Sequence, residues 1–170
     1  MPTILARLHE LGLKLPEAAA PVGSYVPYTI AGNLVFIAGQ LPREDGRIVA
    51  LGHVGAEVDL ATAQRAAQSC ALNILAQVNA ACGGDLERIE QCLKLGAFIA
   101  SAPDFFDQPK VANGASDLLE KLLGARGQHA RSAVGVSNLP LNAAVEIDAI
   151  FAIRGLRLEA RGSSSSASNL

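Results

Sequence analysis

The clearest pattern in the chain lies between residues 129 and 151, where two alternating runs flank a break rich in Asn and Pro. In the run 145–151 every second side chain is apolar, and Glu146 and Asp148 occupy positions between them. This is the period of a half-buried β-strand. The run 131–136 alternates in the same way, and the break between the runs supplies turn residues. The pattern therefore predicts a β-hairpin whose register the sequence does not fix.

Arg131 and Glu146 each fall on the polar or small-residue face of their predicted strand. Ala133 and Gly135 leave room beside the guanidinium of Arg131, so the hairpin would suit the floor of a pocket for a small anion. The planar fork of an arginine can bind a carboxylate through two parallel hydrogen bonds. A structural ion pair with Glu146 or another acid is the simpler interpretation, and alternation alone favours it.

Glu146 also has two interpretations. It either holds Arg131 in place or takes part in proton transfer. A carboxylate beside an arginine normally has its ionised form favoured, which suits a base more than an acid.

The other elements follow from apolar periodicity and from Gly, Pro and Asp residues at their ends. A helix starting at Asp59 and stopped by Gly83 is the longest of them. In chain order the prediction is strands at 25–30, 34–38 and 47–51, a helix at 61–81, a strand at 89–100, a helix from Asp107 to about Leu123, and the two hairpin strands. The order β-β-β-α-β-α-β-β predicts an α+β fold with two helices on one face of a mixed sheet.

The two ends of the chain differ from its middle. Thr3 would cap a short helix that Gly12 ends, and we expect residues 1–22 to form an N-terminal extension to a domain at 23–155. Residues 156–170 form a tail that is mostly serine near its end, and composition predicts disorder there.

Two helices can cover only one face of the predicted sheet. So many strand residues are apolar that the other face also needs a cover, and another subunit is the natural one.

Composition narrows the function classes. The chain has 170 residues, half of them hydrophobic and 18% charged, which is enough for one globular domain with a real core. A formal net charge of −2 argues against a nucleic-acid binder, because such proteins usually carry a basic excess. No signal peptide and no apolar run long enough to span a bilayer is evident, so we expect a soluble, cytoplasmic protein without a membrane partner.

Cysteine and histidine patterns predict no metal site. Cys70, Cys82 and Cys92 are odd in number and match no zinc or redox spacing, so free buried thiols are expected. The three histidines are widely separated and lack paired ligands. Only His129 draws attention, because it lies two residues before Arg131.

Two further polar residues are candidates for a pocket. Tyr25 would line a pocket or donate a hydrogen bond to a ligand. Packing in the core is an equally good interpretation. Asn113 lies near the start of the second long helix, where a local hydrogen bond is the simpler role.

The last motif, Ala130-Arg131-Ser132-x-Val followed by Leu139-Pro140 and Val145-Glu146-Ile147-x-Ala, resembles the closing signature of the YjgF/RidA family. These proteins are reactive-intermediate (enamine/imine) deaminases, and the family is also labelled endoribonuclease L-PSP. The resemblance spans roughly residues 25–151 and includes, in family order, Tyr25 after a glycine, Gly32-Asn33-Leu34, Gly39-Gln40-Leu41-Pro42, the alanine-rich helix, Asp104-Phe105 and Val111 to Asn113.

The resemblance implies a chorismate-mutase-like α+β fold and a homotrimer with sites in the clefts between subunits. It also implies hydrolysis of small 2-enamine or 2-imine carboxylic acids to 2-keto acids and ammonia, without a metal or organic cofactor. Arg131 would clamp the substrate carboxylate and Glu146 would assist the attacking water. The residues that would line or approach the ligand are Tyr25, Asn113 and the backbone of Gly39 and Ala133.

Two positions depart from the active deaminases. Ala38 stands where they carry Ser, and Ala133 stands where they often carry Cys. Both departures are typical of a diverged branch. A non-catalytic trimer that binds small carboxylates is therefore an alternative, and a ribonuclease or translation inhibitor is a further alternative that the acidic pI of about 5.9 disfavours.

Overall fold

A five-stranded mixed sheet with helices on one face forms the centre of the fold. The computed structural model describes residues 2–20 and 23–155. The elements are α1 (Ile4–Glu10), β1 (Tyr28–Ala31), β2 (Leu34–Gln40), β3 (Arg43–Glu44), β4 (Arg47–Ile48), α2 (Leu60–Ala81), β5 (Ile89–Ala100), α3 (Gln108–Leu123), β6 (Ala130–Val136) and β7 (Val145–Ile153). The predicted α+β class, with two long helices against a mixed sheet, is confirmed.

The predicted hairpin between the strands of Arg131 and Glu146 is wrong. The sheet order is β1-β2-β7-β5-β6, so β5 lies between β6 and β7. β5 pairs in parallel with β6, with Leu95 opposite Arg131, and antiparallel with β7, with Phe98 opposite Glu146. A turn-rich break is equally compatible with a connection that passes over the end of an intervening strand. The buried side chains of β7 favour a central place between β2 and β5, where both edges of that strand are paired.

The predicted third strand is also different. Residues 43–48 form a separate two-stranded sheet, in which β3 pairs with β4. Asp45 and Gly46 make its turn with φ of 47° and 79°, the left-handed backbone that an Asp-Gly hairpin turn adopts. Tyr25 precedes β1 instead of opening it.

The core lies between the sheet and the two long helices. Side chains on β7 alternate between buried and half-buried positions along its whole length. Asp59 caps α2 by accepting a 2.6 Å hydrogen bond from the backbone N–H of Thr62. Gly114 of α3 crosses the backbone of Gln64 so closely that a Cβ at this position would overlap the Gln64 carbonyl. Because Gly114 has no side chain, α3 can pack closely against α2 at this point.

Helix α1 packs into this same core, whereas the sequence suggested an appendage. Ile4 and Leu8 are each 1% exposed. Arg7 donates a 2.9 Å hydrogen bond to the carbonyl of Leu122, and the N–H of Ile4 donates to Oε1 of Glu87 at 2.7 Å. The boundaries proposed at residues 22 and 155 stay predictions, and the tail at 156–170 lies outside the described residues.

The face of the sheet opposite the helices carries apolar side chains at the surface. Phe36 is 39% exposed and Val134 is 46% exposed, and Ile150 lies opposite Phe36 in the sheet register. No helix in the described ranges is long and apolar enough to cross a membrane. The three cysteines are buried and free.

Candidate functional site

Three of the predicted site residues line one cavity. Tyr25, Gly39 and Glu146 border a space of about 440 Å³ at the end of β2 and the start of β7. We call this space the Glu146 cavity. Pro140 and Leu141 contribute apolar wall beside the carboxylate. The cavity therefore combines two charged side chains, Glu146 and Arg43, and a few other polar groups with a mostly apolar lining, the usual composition of a small-molecule site.

Gly39 allows the side chain of Glu146 to lie against β2. A Cβ at position 39 would overlap Oε1 of Glu146, so the side chain of Glu146 lies directly on the backbone of β2. The pairing of β2 with β7 is irregular between Ile37 and Gln40. Such irregularities often redirect side chains next to functional sites.

The environment of Glu146 favours its protonated form. Burial raises the pKa of the Glu146 carboxyl above its ordinary value, and the nearby Asp148 raises it further. Arg131, the arginine expected beside this carboxylate, does not lie next to it within one copy of the chain. Paired residues of neighbouring strands share a face, which places Arg131 with Leu95 on the helix side and Glu146 with Phe98 on the open side.

Arg131 belongs to a second group of polar residues, which we call the Arg131 cluster: Arg131, Pro109, Asn113, Ser116 and His129. The Nη1 atom of Arg131 donates to Oδ1 of Asn113 and to Oγ of Ser116, each at 2.9 Å, and Nη2 donates to the carbonyl of Pro109 at 3.1 Å. All three acceptors are uncharged. Among the described residues no ion pair involves Arg131, so its positive charge is held in place without being neutralised.

His129 and Ser116 form a short chain of hydrogen bonds that ends at the guanidinium of Arg131. Nδ1 of His129 lies 2.6 Å from the carbonyl of Gly127, which can only accept, so Nδ1 carries the hydrogen. In the neutral ring Nε2 is then an acceptor, and it lies 2.9 Å from Oγ of Ser116. Ser116 can therefore donate to His129 while it accepts from Arg131.

The Arg131 cluster keeps donors for a ligand. A guanidinium has five N–H groups, and three are used within the chain. The remaining two are the number that a bidentate carboxylate needs. Because Asn113 accepts through Oδ1, its NH₂ group also faces outward as a donor. Ala133 lies two positions further along β6 on the same face and packs against the core.

The structure thus divides the predicted residues into two sets. Tyr25, Gly39 and Glu146 lie at the Glu146 cavity. Asn113 and Arg131 belong to the Arg131 cluster on the other face, and Ala133 lies on that face further along β6. The expectation that Arg131 lies near Glu146 within one chain is therefore wrong.

Ser116 and Leu141 contribute to these sites without having been predicted from the sequence. Ser116 stands three residues after Asn113 on α3, and this spacing on one helix face was the available signal. Leu141 adopts a left-handed backbone with φ of 57° beside the Glu146 cavity, and the sequence contains no glycine that would mark the position. Within residues 2–20 and 23–155, no group of three or more His, Cys, Asp or Glu residues could hold a metal ion.

Comparison with known proteins identifies the family. The family model described as "YjgF/chorismate_mutase-like, putative endoribonuclease" matches residues 5–153. The protein TCP17 of Trypanosoma cruzi is 46% identical over 148 residues, covering 86% of this chain and 92% of TCP17.

Solved structures agree with this assignment. Atu1372 of Agrobacterium tumefaciens, a protein of unknown function, is 54% identical with a TM-score of 0.83, covering 89% of this chain and 92% of that one. TdcF of E. coli, solved with bound serine, is 26% identical with a TM-score of 0.57, covering 82% of this chain and 94% of TdcF. The chain therefore belongs to the YjgF/RidA family, within a diverged branch that resembles TCP17.

Proposed function

We propose that this protein hydrolyses small reactive 2-imine or 2-enamine carboxylic acids to 2-keto acids and ammonia. The observation that carries the proposal is the Arg131 guanidinium, which is held by three uncharged acceptors and keeps two N–H groups and its full charge for an anion. A structural ion pair, the simpler role, would have used that charge within the chain. A carboxylate-bearing ligand is the matching partner.

The complete site would form between two copies of the chain in a homotrimer. Arg131 of one copy and the Glu146 cavity of its neighbour each provide half of what the reaction needs. The apolar open face of the sheet, with Phe36 and Val134 at its surface, supports a second copy as its cover. Such a cleft would also exclude bulk water from the reacting imine.

The proposed reaction needs few groups. Arg131 fixes the substrate carboxylate. A water molecule adds to the imine carbon while Glu146 takes a proton from that water and passes it to the nitrogen, which gives a carbinolamine. The carbinolamine hydroxyl then loses its proton to Glu146, Glu146 passes this second proton to the nitrogen, and the carbon–nitrogen bond breaks to leave the 2-keto acid and ammonia. Burial raises the pKa of the Glu146 carboxyl, so its carboxylate is a stronger base than an ordinary glutamate and suits proton exchange of this kind.

The relatives give limited support. TdcF was solved with serine, a small amino acid whose carboxylate is the group that we assign to Arg131. The family description names an endoribonuclease, but the net charge of −2 does not favour an RNA substrate.

A non-catalytic carboxylate-binding trimer is the second candidate. Ala38 and Ala133 replace a hydroxyl and a thiol that active deaminases of the family carry, and this loss would affect chemistry more than binding. The two candidates share Arg131 and differ in their requirement for Glu146.

The test measures imine hydrolysis, melting temperature and oligomeric state on the same samples of Arg131→Ala and Arg131→Lys. Charge-assisted hydrogen bonds contribute roughly 1.5–3 kcal/mol each, so we expect kcat/KM to fall at least about tenfold in a folded trimer. Lysine keeps the charge but not the fork and should be impaired as well. Wild-type activity in a folded Arg131→Ala trimer would refute the proposal.

A further inference from the structure

We infer that the Glu146 cavity accepts ligands with a second anionic group and that Arg43 binds this group. The substrates would then be small 2-imino or 2-enamino dicarboxylic acids. The identification of the substrate class rests on the proposed hydrolysis, whereas the anion site at Arg43 does not.

Arg43 lines the Glu146 cavity, and its backbone is held in place by the surrounding structure. It begins β3, is half-buried, and lines the same space as Tyr25 and Glu146. Within this lining it is the only arginine or lysine, and the other charged lining residue is Glu146. The cavity therefore has one basic and one acidic residue in an otherwise uncharged wall.

Two buried polar side chains of α2 hold the backbone of Arg43. Oγ of Ser69 donates to the carbonyl of Arg43 at 3.3 Å, and Nδ2 of Asn73 donates to the same carbonyl at 3.0 Å and to that of Leu41 at 3.3 Å. Ser69 is 2% exposed and Asn73 is 6% exposed. Burying polar groups is unfavourable unless they are hydrogen-bonded, so these contacts fix the path of residues 41–43 along the cavity.

The charge of Arg43 is available to a ligand. Its hydrogen-bond partner within the described residues is the carbonyl of Gly46, which accepts from Nη1 at 3.3 Å. None of the ion pairs in the described part of the chain includes Arg43, although Glu44 and Asp45 follow it in sequence. Glu146 is not its partner either. The guanidinium of Arg43 therefore lines the cavity without an ion pair to any described residue, and its N–H donors can serve an anionic ligand.

The cavity is large enough for such a ligand. A space of about 440 Å³ accommodates a dicarboxylate of four or five carbons. One carboxylate would reach Arg131 of the neighbouring copy, the imine carbon would face Glu146, and the second carboxylate would reach Arg43. The reaction itself is unchanged: water adds to the carbon–nitrogen double bond, the bond to nitrogen breaks, and a 2-keto dicarboxylate and ammonia leave.

Product binding tests this inference without catalysis. Calorimetry would compare 2-oxoglutarate with 2-oxopentanoate, which has the same number of carbons and lacks the second carboxylate, on the assembled wild-type protein, Arg43→Gln and Arg47→Gln. Arg47 is the matched control, because it lies on the same β-hairpin, is exposed and is outside the cavity lining. We expect the wild type and Arg47→Gln to prefer 2-oxoglutarate by about tenfold or more, and Arg43→Gln to lose this preference while its affinity for 2-oxopentanoate stays within about twofold.

Three results would overturn the inference: equal affinity of the wild type for both acids, absence of measurable 2-oxoglutarate binding, or an equal loss of preference in Arg47→Gln. Hydrolysis of imines made from acidic and neutral amino acids separates this inference from the proposed function. Activity on neutral imines without a dicarboxylate preference would refute the role of Arg43 alone. Arg43-dependent binding of 2-oxoglutarate without hydrolysis of any imine would refute the deaminase and retain the anion site.

Discussion

Arg131 and Glu146 project from opposite faces of one sheet, on strands that β5 keeps apart. Two strand spacings amount to roughly 10 Å, before the thickness of the sheet is added. Within one chain, Arg131 and Glu146 therefore cannot both contact a substrate of a few carbons. If both act on one molecule, they come from different copies.

Mixing two inactive variants tests this relationship. Arg131→Ala supplies an intact Glu146 cavity, and Glu146→Gln supplies an intact Arg131 cluster. In randomly reassembled trimers from equal amounts, about a quarter of the clefts would receive both intact halves, so about a quarter of the wild-type activity should return. A mixture as inactive as its components, with exchange of subunits shown by mass spectrometry, would place both residues in one copy's site.

The raised pKa of Glu146 predicts a cost in stability. A carboxyl whose folded-state pKa lies above its unfolded value lowers stability as pH rises from the unfolded value through the folded one. Glu146→Gln should therefore melt at a higher temperature than the wild type at neutral pH, with the difference shrinking as pH falls toward about 4. The control is Glu90→Gln, an exposed position on β5 where no such trend is expected. A neutral-pH loss of stability in Glu146→Gln would contradict the prediction.

The contact of Gly39 with Glu146 predicts a specific steric effect. Gly39→Ala should displace the carboxylate and lower kcat/KM by at least about tenfold, because small misplacements of a catalytic group are costly. Gly96→Ala is the matched control, since it creates the same kind of overlap with Asp148 on the same face. Equal activity losses in the two variants, measured on folded samples, would indicate general distortion of the sheet.

Ser116 should act by positioning Arg131. Ser116→Ala removes one of three hydrogen bonds to the guanidinium, and a net contribution of about 1 kcal/mol predicts a rise in KM of about fivefold with a smaller change in kcat. Ser116→Thr keeps the hydroxyl and should recover most of the loss. A role in folding alone would instead change melting temperature and leave KM unaltered.

Helix α1 should be necessary for stability. Leu8→Ala should lower the free energy of unfolding by about 2–5 kcal/mol, because the side chain is 1% exposed within the core. Leu5→Ala, on the same helix and 52% exposed, is the control and should cost far less. Denaturant unfolding of both variants checks the difference, and equal effects would mean that α1 does not pack as described.

Local sequence patterns predicted the helices and strands better than they predicted which strands pair with one another. The strand around Glu146 follows from alternation of apolar and polar residues. The start of α2 follows from the cap at Asp59, and the end of α3 follows from the glycine after Leu123. Whether β6 pairs with β7 or with β5 depends on which arrangement buries the most apolar surface over the whole chain. The turn residues Asn138 and Pro140 do not indicate whether β6 pairs with β7 or with β5.

The same limit explains the prediction about Arg131 and Glu146. Alternation defines two faces for each strand separately, but it does not relate the faces of one strand to those of another until the register is known. The resemblance to the family named both residues, and only the sheet order and register show that they lie on opposite faces of the sheet. Ser116 was missed because its relation to Arg131 depends on how α3 lies against β6.

The order of synthesis differs from the order in space. β7 is the central strand of the sheet, yet it is the last of the five along the chain, and its residue Phe151 pairs with Val35 more than a hundred positions earlier. While the ribosome is still translating the segment before residue 145, β2 and β5 have no shared partner, and the backbone N–H and C=O groups on the edges that β7 later pairs with stay unpaired. Such long-range pairing slows folding and exposes the nascent chain to aggregation. The sheet should therefore assemble only after β7 has left the ribosome, and premature release of the chain before that strand should yield insoluble protein.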